Sequence, residues 1–274
     1  MSFSNNLKTN IDQLIERVVN RYLSKAGTKP TANSGNPFVL ALLKDFEPLI
    51  HRIHGLKTAL GGEMEKIAEL IAIEAWGQTK IKRKQNIVVE LPQNVFAVID
   101  TIINNLSNAK TLSNYQNEKK LILDACCKPS EIKEKHTYEF DLIIESAEHI
   151  YILEMKGPDP NTTEVPGAKR RLLVALAWGY FQYKTNNIDA RLAIYYNNKS
   201  PQPYRNPKVH YYFDPNGGIL VQEDFWNFIG KQNETFAELM NLFSSYGTNN
   251  KQRIWNGFSQ LINIENGTNR TTNN

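Results

Sequence analysis

Thr137-Tyr-Glu-Phe-Asp-Leu-Ile-Ile-Glu-Ser146, the pair Ala147-Glu148, and His149-Ile-Tyr-Ile-Leu-Glu-Met-Lys156 form the stretch on which the reading of this chain turns. Two short runs rich in β-branched and aromatic residues flank a polar pair, which is the pattern of a β-hairpin. Glu154 and Lys156 stand two apart on the second run, so both side chains leave the same face of a strand. If the hairpin pairs in its simplest register, Asp141 of the first strand lies beside them. Ile150, Ile152 and Leu153 mark the second strand as buried, and a carboxylate buried without a partner costs several kcal/mol. A strand of this kind ending in Glu-Met-Lys therefore calls for a partner or a metal. Two carboxylates and one ammonium suit Mg²⁺, a hard ion that takes oxygen ligands and keeps several waters. The same spelling also fits a Glu/Lys pair on a solvated strand.

Working outward, Gly157-Pro158-Asp159-Pro160-Asn161 stops the second strand sharply. A helix is predicted over 166–183, a strand over 190–196, and a further strand over 208–213. Helices follow near 222–229, 234–245 and 250–262, and the Asn- and Thr-rich residues 265–274 read as a disordered tail. Upstream, apolar residues recur at helical spacing over 5–24 and 38–54, separated by a breaker-rich loop from Gly27 to Pro37. After Gly61-Gly62 comes a helix over 63–76, then helices over 93–107 and 115–127. The expected fold is α/β, a central mixed sheet flanked by helices, with a helical N-terminal region. We expect one domain over 1–264, mainly helical to 135 and sheet-bearing from 136 to 264.

Composition sets wide bounds. The 274 residues are 41% hydrophobic and 22% charged with a net charge of +4, ordinary for a soluble protein and compatible with a polyanionic partner. The adjacent cysteines Cys126 and Cys127 read as reduced thiols, without further soft ligands at zinc-site spacing. A polar N-terminus and the lack of any apolar run near ~20 residues predict neither signal peptide nor membrane span, hence a cytoplasmic protein. Gly61-Gly62 lacks the surroundings of a phosphate-binding loop, which argues against nucleotide-driven activity.

The order Tyr138-Glu-Phe-Asp141 … Ile152-Leu-Glu154-Met-Lys156 resembles the PD-(D/E)xK nuclease superfamily, with Phe140 where a proline is usual. More specifically, the chain resembles type II restriction endonucleases of the TdeIII/MjaII type. The resemblance is carried by Asn36-Pro-Phe-Val-Leu-Ala-Leu-Leu43, Gly62-Glu-Met-Glu-Lys-Ile-Ala-Glu69 and Ile102-Ile-Asn-Asn-Leu106. It continues through Ala168-Lys-Arg-Arg-Leu-Leu173 with Ala177-Trp178, and Ala193-Ile-Tyr-Tyr-Asn197 with Pro201-Gln-Pro-Tyr204. Glu223-Asp-Phe-Trp-Asn-Phe-Ile-Gly230 completes a collinear set spanning roughly residues 36–246.

This resemblance implies a Mg²⁺-dependent, homodimeric endonuclease that cuts double-stranded DNA at a short palindrome, GGNCC, leaving 5′-phosphate ends. It also implies a cognate DNA methyltransferase as genetic partner. Asp141 and Glu154 become the metal ligands, Lys156 the residue that positions or deprotonates water, and Glu65 (or Glu69, one turn on) a further acidic member. A repair or recombination nuclease, or a non-enzymatic DNA-binding module, would share much of this pattern. For DNA contacts the candidates are Lys82 and Arg83 in the basic cluster Lys80–Lys84, the triplet Lys169-Arg170-Arg171, and Arg205 in a polar, aromatic-studded loop. Each of these could equally be a solvated basic side chain.

Overall fold

The computed structural model describes residues 2–24 and 47–257. The predicted loop 27–37, most of the predicted helix 38–54, the end of the last helix and the tail 265–274 lie outside these residues. The chain forms two compact units, residues 1–67 with 237–274, and residues 68–236.

In the first unit, helix α1 (Asn5–Ser24) buries Leu7, Ile11, Leu14, Ile15 and Val18 along one stripe, as its periodicity predicts. Its carboxylate Glu16 meets the guanidinium of Arg253 through two contacts, 2.6 and 2.7 Å long. That fork holds the Glu16 carboxyl down at about 2. Helix α2 (Glu47–Trp76) belongs to this unit as far as Ile67 and to the second unit beyond it. It runs unbroken through Gly61-Gly62, where the sequence suggested an interruption. A helical glycine costs only about 1 kcal/mol relative to alanine, and the Ala-, Glu- and Ile-rich run after it favours helix strongly enough to continue.

The second unit is a five-stranded mixed sheet with the order β1-β2-β3-β4-β5. Strands β1 (Ile81–Pro92), β2 (Lys133–Glu145) and β3 (Ile150–Lys156) are antiparallel neighbours. Strands β4 (Ile188–Ile194) and β5 (Ile219–Val221) add on in parallel. The predicted hairpin is β2–β3, in the simple register Leu142↔Leu153, Ile143↔Ile152. A mixed sheet flanked by helices is the expected fold class.

Two readings of strands need correction. Residues 208–213 form a helix, α6 (Pro207–Tyr212), not a strand. Val209, Tyr211 and Phe213 alternate as in a strand, but Asn206 caps the helix by accepting from the amides of Lys208 (3.1 Å) and Val209 (3.3 Å), and Pro207 takes the first helical position. Strand β1 was missed because its first half, Lys82–Asn86, is polar. The part of the chain read as mainly helical thus contains the sheet's first edge, while the third parallel neighbour, β5, is only three residues long.

Helix α5 (Glu164–Tyr183) is the centre of the core. Its residues Ala168, Leu172, Leu173 and Leu176 pack in one cluster with Ile143, Ile152, Ile188 and Leu192 of the sheet. Helices α3 (Gln93–Ser107) and α4 (Tyr115–Cys127), found where the periodicity places them, enter the same cluster through Val95, Phe96, Ile99 and Ile122. Gly179 lets α5 come close to the sheet, since a Cβ there would stand 3.1 Å from Ile188 Cγ2. Trp76 at the end of α2 stacks edge-on with Tyr151 and donates to the carbonyl of Ile229, 2.9 Å away in α7 (Glu223–Gly230). Among the described residues no helix is long and apolar enough to cross a membrane.

Ile152 is fully buried on the central strand. Replacing it with alanine is expected to destabilise the second unit by about 2–5 kcal/mol, read as a shift of the denaturation midpoint; an unchanged midpoint would contradict this account of the core.

Candidate active site

Asp141 stands one residue beyond the Leu142↔Leu153 pair on β2, and Glu154 one residue beyond it on β3, so the two carboxylates are cross-strand neighbours. Both are buried, at 7% and 3% exposure. Asp141 Oδ2 accepts the amide hydrogen of Met155 at 2.8 Å, which locks the aspartate against the strand that carries the glutamate. Glu154 is held by two cations. Lys156 Nζ is 2.8 Å from its Oε1, and Arg171 of α5 grips both oxygens, with Nε 3.1 Å from Oε2 and Nη2 on Oε1. The bond to Glu154 raises the Arg171 pKa further above its already high value. Lys156 lies at the carboxyl end of β3, beside Ile194 of the parallel strand β4.

The loops leaving these two parallel strands are tied together. Tyr204 Oη and Asn206 Nδ2 both donate to the carbonyl of Pro158, at 2.8 and 3.1 Å, and Asn198 Nδ2 donates to Asp159 at 2.5 Å. Arg205 is exposed on this braced loop. Gly157 turns the chain out of β3, with Tyr195 Oη 3.3 Å from where a Cβ would be. Loops at the carboxyl ends of parallel strands are the usual place for a ligand in an α/β sheet.

The other predicted site residues have different surroundings. Glu65 lies on α2 in the first unit, among the residues up to Ile67, and Glu69 lies in the second. Glu69 Oε2 accepts from Arg83 Nε at 2.6 Å, and Lys82 Nζ is 2.5 Å from Glu145 Oε1, so Lys82 and Arg83 each carry an ion pair. Lys169 does not face a cleft: it is 3% exposed, its ammonium contacts Glu118 of α4, and burial lowers its pKa. Lys169, expected as a DNA contact, stands in a buried pair with Glu118. Arg170 contacts Asp100 of α3 on the surface.

Sequence reasoning also missed a surface. The half of β1 from Asn86 to Pro92 pairs only with Lys133–Glu139 of β2, beyond the reach of β3. Ile87, Val89, Leu91 and Tyr138 on one face of this ribbon join the core. On the other face Asn86, Val88, Glu90, Lys133, Lys135, Thr137 and Glu139 are exposed, and Glu90 lies between Lys135 (3.0 Å) and Lys133 (3.7 Å). At the junction with the half that carries Asp141, Lys84 has a left-handed backbone, φ 46, where the β1–β2 pairing skips Asp141. A run of polar residues followed by Ile87-Val-Val-Glu-Leu was the available signal.

The model of the family described as "Type II restriction endonuclease, HinfI" matches residues 3–247. The type II restriction enzyme MjaII of Methanocaldococcus jannaschii is 26% identical over 221 residues, covering 73% of this chain and 55% of that enzyme. The type II restriction enzymes HgiEI and HgiBI of Herpetosiphon aurantiacus are each 26% identical over 229 residues, 82% of this chain and 80% of theirs. The chain thus matches just over half the length of the first of these.

Lys169→Ala leaves the Glu118 carboxylate buried without its cation, which is expected to destabilise the fold by about 3–5 kcal/mol. Thermal melting checks this; a variant that melts like the wild type would return Lys169 to the surface.

Proposed function

Because the chain belongs to the HinfI family of type II restriction endonucleases, we propose that it hydrolyses double-stranded DNA at a short palindrome with Mg²⁺, using Asp141, Glu154 and Lys156. The observation that carries this reading is the cross-strand pair of buried carboxylates with Lys156 beside it. The donor set is all oxygen, which fits a hard divalent ion, and Asp141 and Glu154 are the residues that would hold it. When bound, Mg²⁺ supplies charge that offsets the charge growing on the phosphate. Lys156, partly exposed at the strand end, orients the attacking water or takes its proton. The water oxygen forms a bond to phosphorus while the bond to the 3′ oxygen breaks, leaving a 5′-phosphate and a 3′-hydroxyl. Glu65 or Glu69 is retained as a further acidic candidate.

For the DNA we favour a path along the open face of the β1–β2 ribbon. A two-stranded ribbon fits the major groove, and the seven residues from Lys133 to Glu139 rise about 20 Å in a strand at ~3.3 Å each. That length suits a short site. Asn86, Thr137 and Lys135 offer donors and acceptors there, with Lys84 and Arg205 as phosphate contacts. A palindrome with one scissile bond per strand calls for two active sites, hence a homodimer. GGNCC is our working target from the family resemblance, the cytoplasm our working location, and a cognate methyltransferase the protection that such an activity requires.

Purified protein with Mg²⁺ and a sequenced plasmid tests this. Discrete fragments are expected, with cleavage lost in EDTA and lowered about a hundredfold or more in Asp141→Ala, as the loss of several kcal/mol of metal assistance dictates. End-sequencing reads the target. Cuts that follow DNA structure would favour a repair nuclease, and binding without cutting a DNA-binding module.

A further inference from the structure

Arg171 occupies the carboxylate that the nuclease reading gives to the metal. A carboxylate offers about four lone-pair positions, and Glu154 already receives Lys156 Nζ, Arg171 Nε and Arg171 Nη2. Asp141, Glu154, Lys156 and Arg171 balance two charges against two, with Glu139 a further carboxylate acting on Arg171. A divalent ion added at Glu154 meets two cations at close range, both already on its carboxylate. Lys156 reaches Glu154 from two residues along the same strand, with a single nitrogen on one oxygen. Arg171 reaches in from α5, takes both oxygens, and keeps about a third of its side chain exposed, so it has a route outward.

We propose that Arg171 is an exchangeable counter-cation: it neutralises Glu154 in the DNA-free protein and transfers to a DNA phosphate when metal and substrate load. A phosphate accepts the same two-pronged grip as a carboxylate. The transfer restores the charge balance on both sides, since the phosphate brings the negative charge that the ion needs, and Glu154 regains its lone pairs. Metal and DNA then strengthen each other's binding by the same factor. A resting protein without DNA stays poorly loaded with metal. Arg171 is a positioning residue in this scheme, and the scheme rests on the assignment of Glu154 as a ligand.

The sign of one substitution separates this from a supporting role. Mn²⁺ binding to the DNA-free protein is counted from the electron paramagnetic resonance signal of the free ion, in wild type, Arg171→Gln, Arg171→Lys and Glu154→Gln. Exchange predicts that Arg171→Gln binds Mn²⁺ about tenfold more tightly or better, as removing a unit charge at this range implies. Arg171→Lys, which keeps the charge, stays near the wild type. If Arg171 only orients its carboxylate, Arg171→Gln loosens binding instead, by about 10–100-fold, and the proposal is overturned while the nuclease site stands. A lysine variant that tightens binding as much as the glutamine variant overturns it too. Glu154→Gln is expected to lose Mn²⁺; unchanged binding there would instead remove Glu154 from the metal site, and this inference with it. Thermal melting of each variant confirms that it is folded.

Discussion

The β2–β3 register is the constraint on which the site depends. With Leu142 opposite Leu153, Asp141 and Glu154 become neighbours while Ile143 and Ile152 enter the core under α5. A slip of one residue would send every side chain on the strand to the opposite face, taking Ile152 out of the cluster under α5 and separating the carboxylates. The apolar residues thereby enforce the chemistry: burial of Ile143, Ile152 and Ile150 is what holds two like charges together at the strand ends. The Met155 amide bond to Asp141 adds a second pin within the same hairpin.

Holding two buried carboxylates side by side creates an electrostatic debt, and the fold's treatment of it explains much of α5. The three consecutive basic residues at the start of that helix point about 100° apart around its axis. Each meets a different acidic partner: Lys169 the buried Glu118, Arg170 the surface Asp100, and Arg171 the site carboxylate Glu154. The triplet thus joins α5 to α4, α3 and β3. The Lys169 pair is shielded from water and so essential to stability, the Arg170 pair is exposed and worth little, and the Arg171 pair alone borders both the core and solvent. That difference in setting, rather than the residue types, makes Arg171 the member suited to exchange.

What could be read from the sequence follows from how local each signal was. The hairpin, α3, α4 and α5 were legible because their period and turn chemistry act within a few residues. Strand β1 was not, since an edge strand with a polar outer face reads as a loop until its partner is known. Residues Pro207–Tyr212 misled because period-two alternation and a capped helix start coexist in six residues, and the cap decided the outcome. The pair Asp141 and Glu154 was legible as a juxtaposition because the hairpin is short. The partner of Lys169 was not, since Glu118 lies 51 residues away and only packing brings it near.

The pairing of the basic triplet bears on where a nucleic acid could lie. A run such as Lys169-Arg170-Arg171 suggests a DNA-facing patch, yet each of its charges has an acidic partner and Lys169 is buried. Lys82 and Arg83 are likewise paired, with Glu145 and Glu69. On the ribbon, Lys133 and Lys135 both lie beside Glu90, with Glu139 on the same exposed face. Exposed pairs of that kind exchange readily for phosphate, because each contributes little to stability and releases counterions on binding. Since β2 runs without interruption from this ribbon into Asp141, any duplex lying along it is led toward the carboxylates. On the DNA path proposed above, the strand missed from the sequence is the one that gives the site its approach.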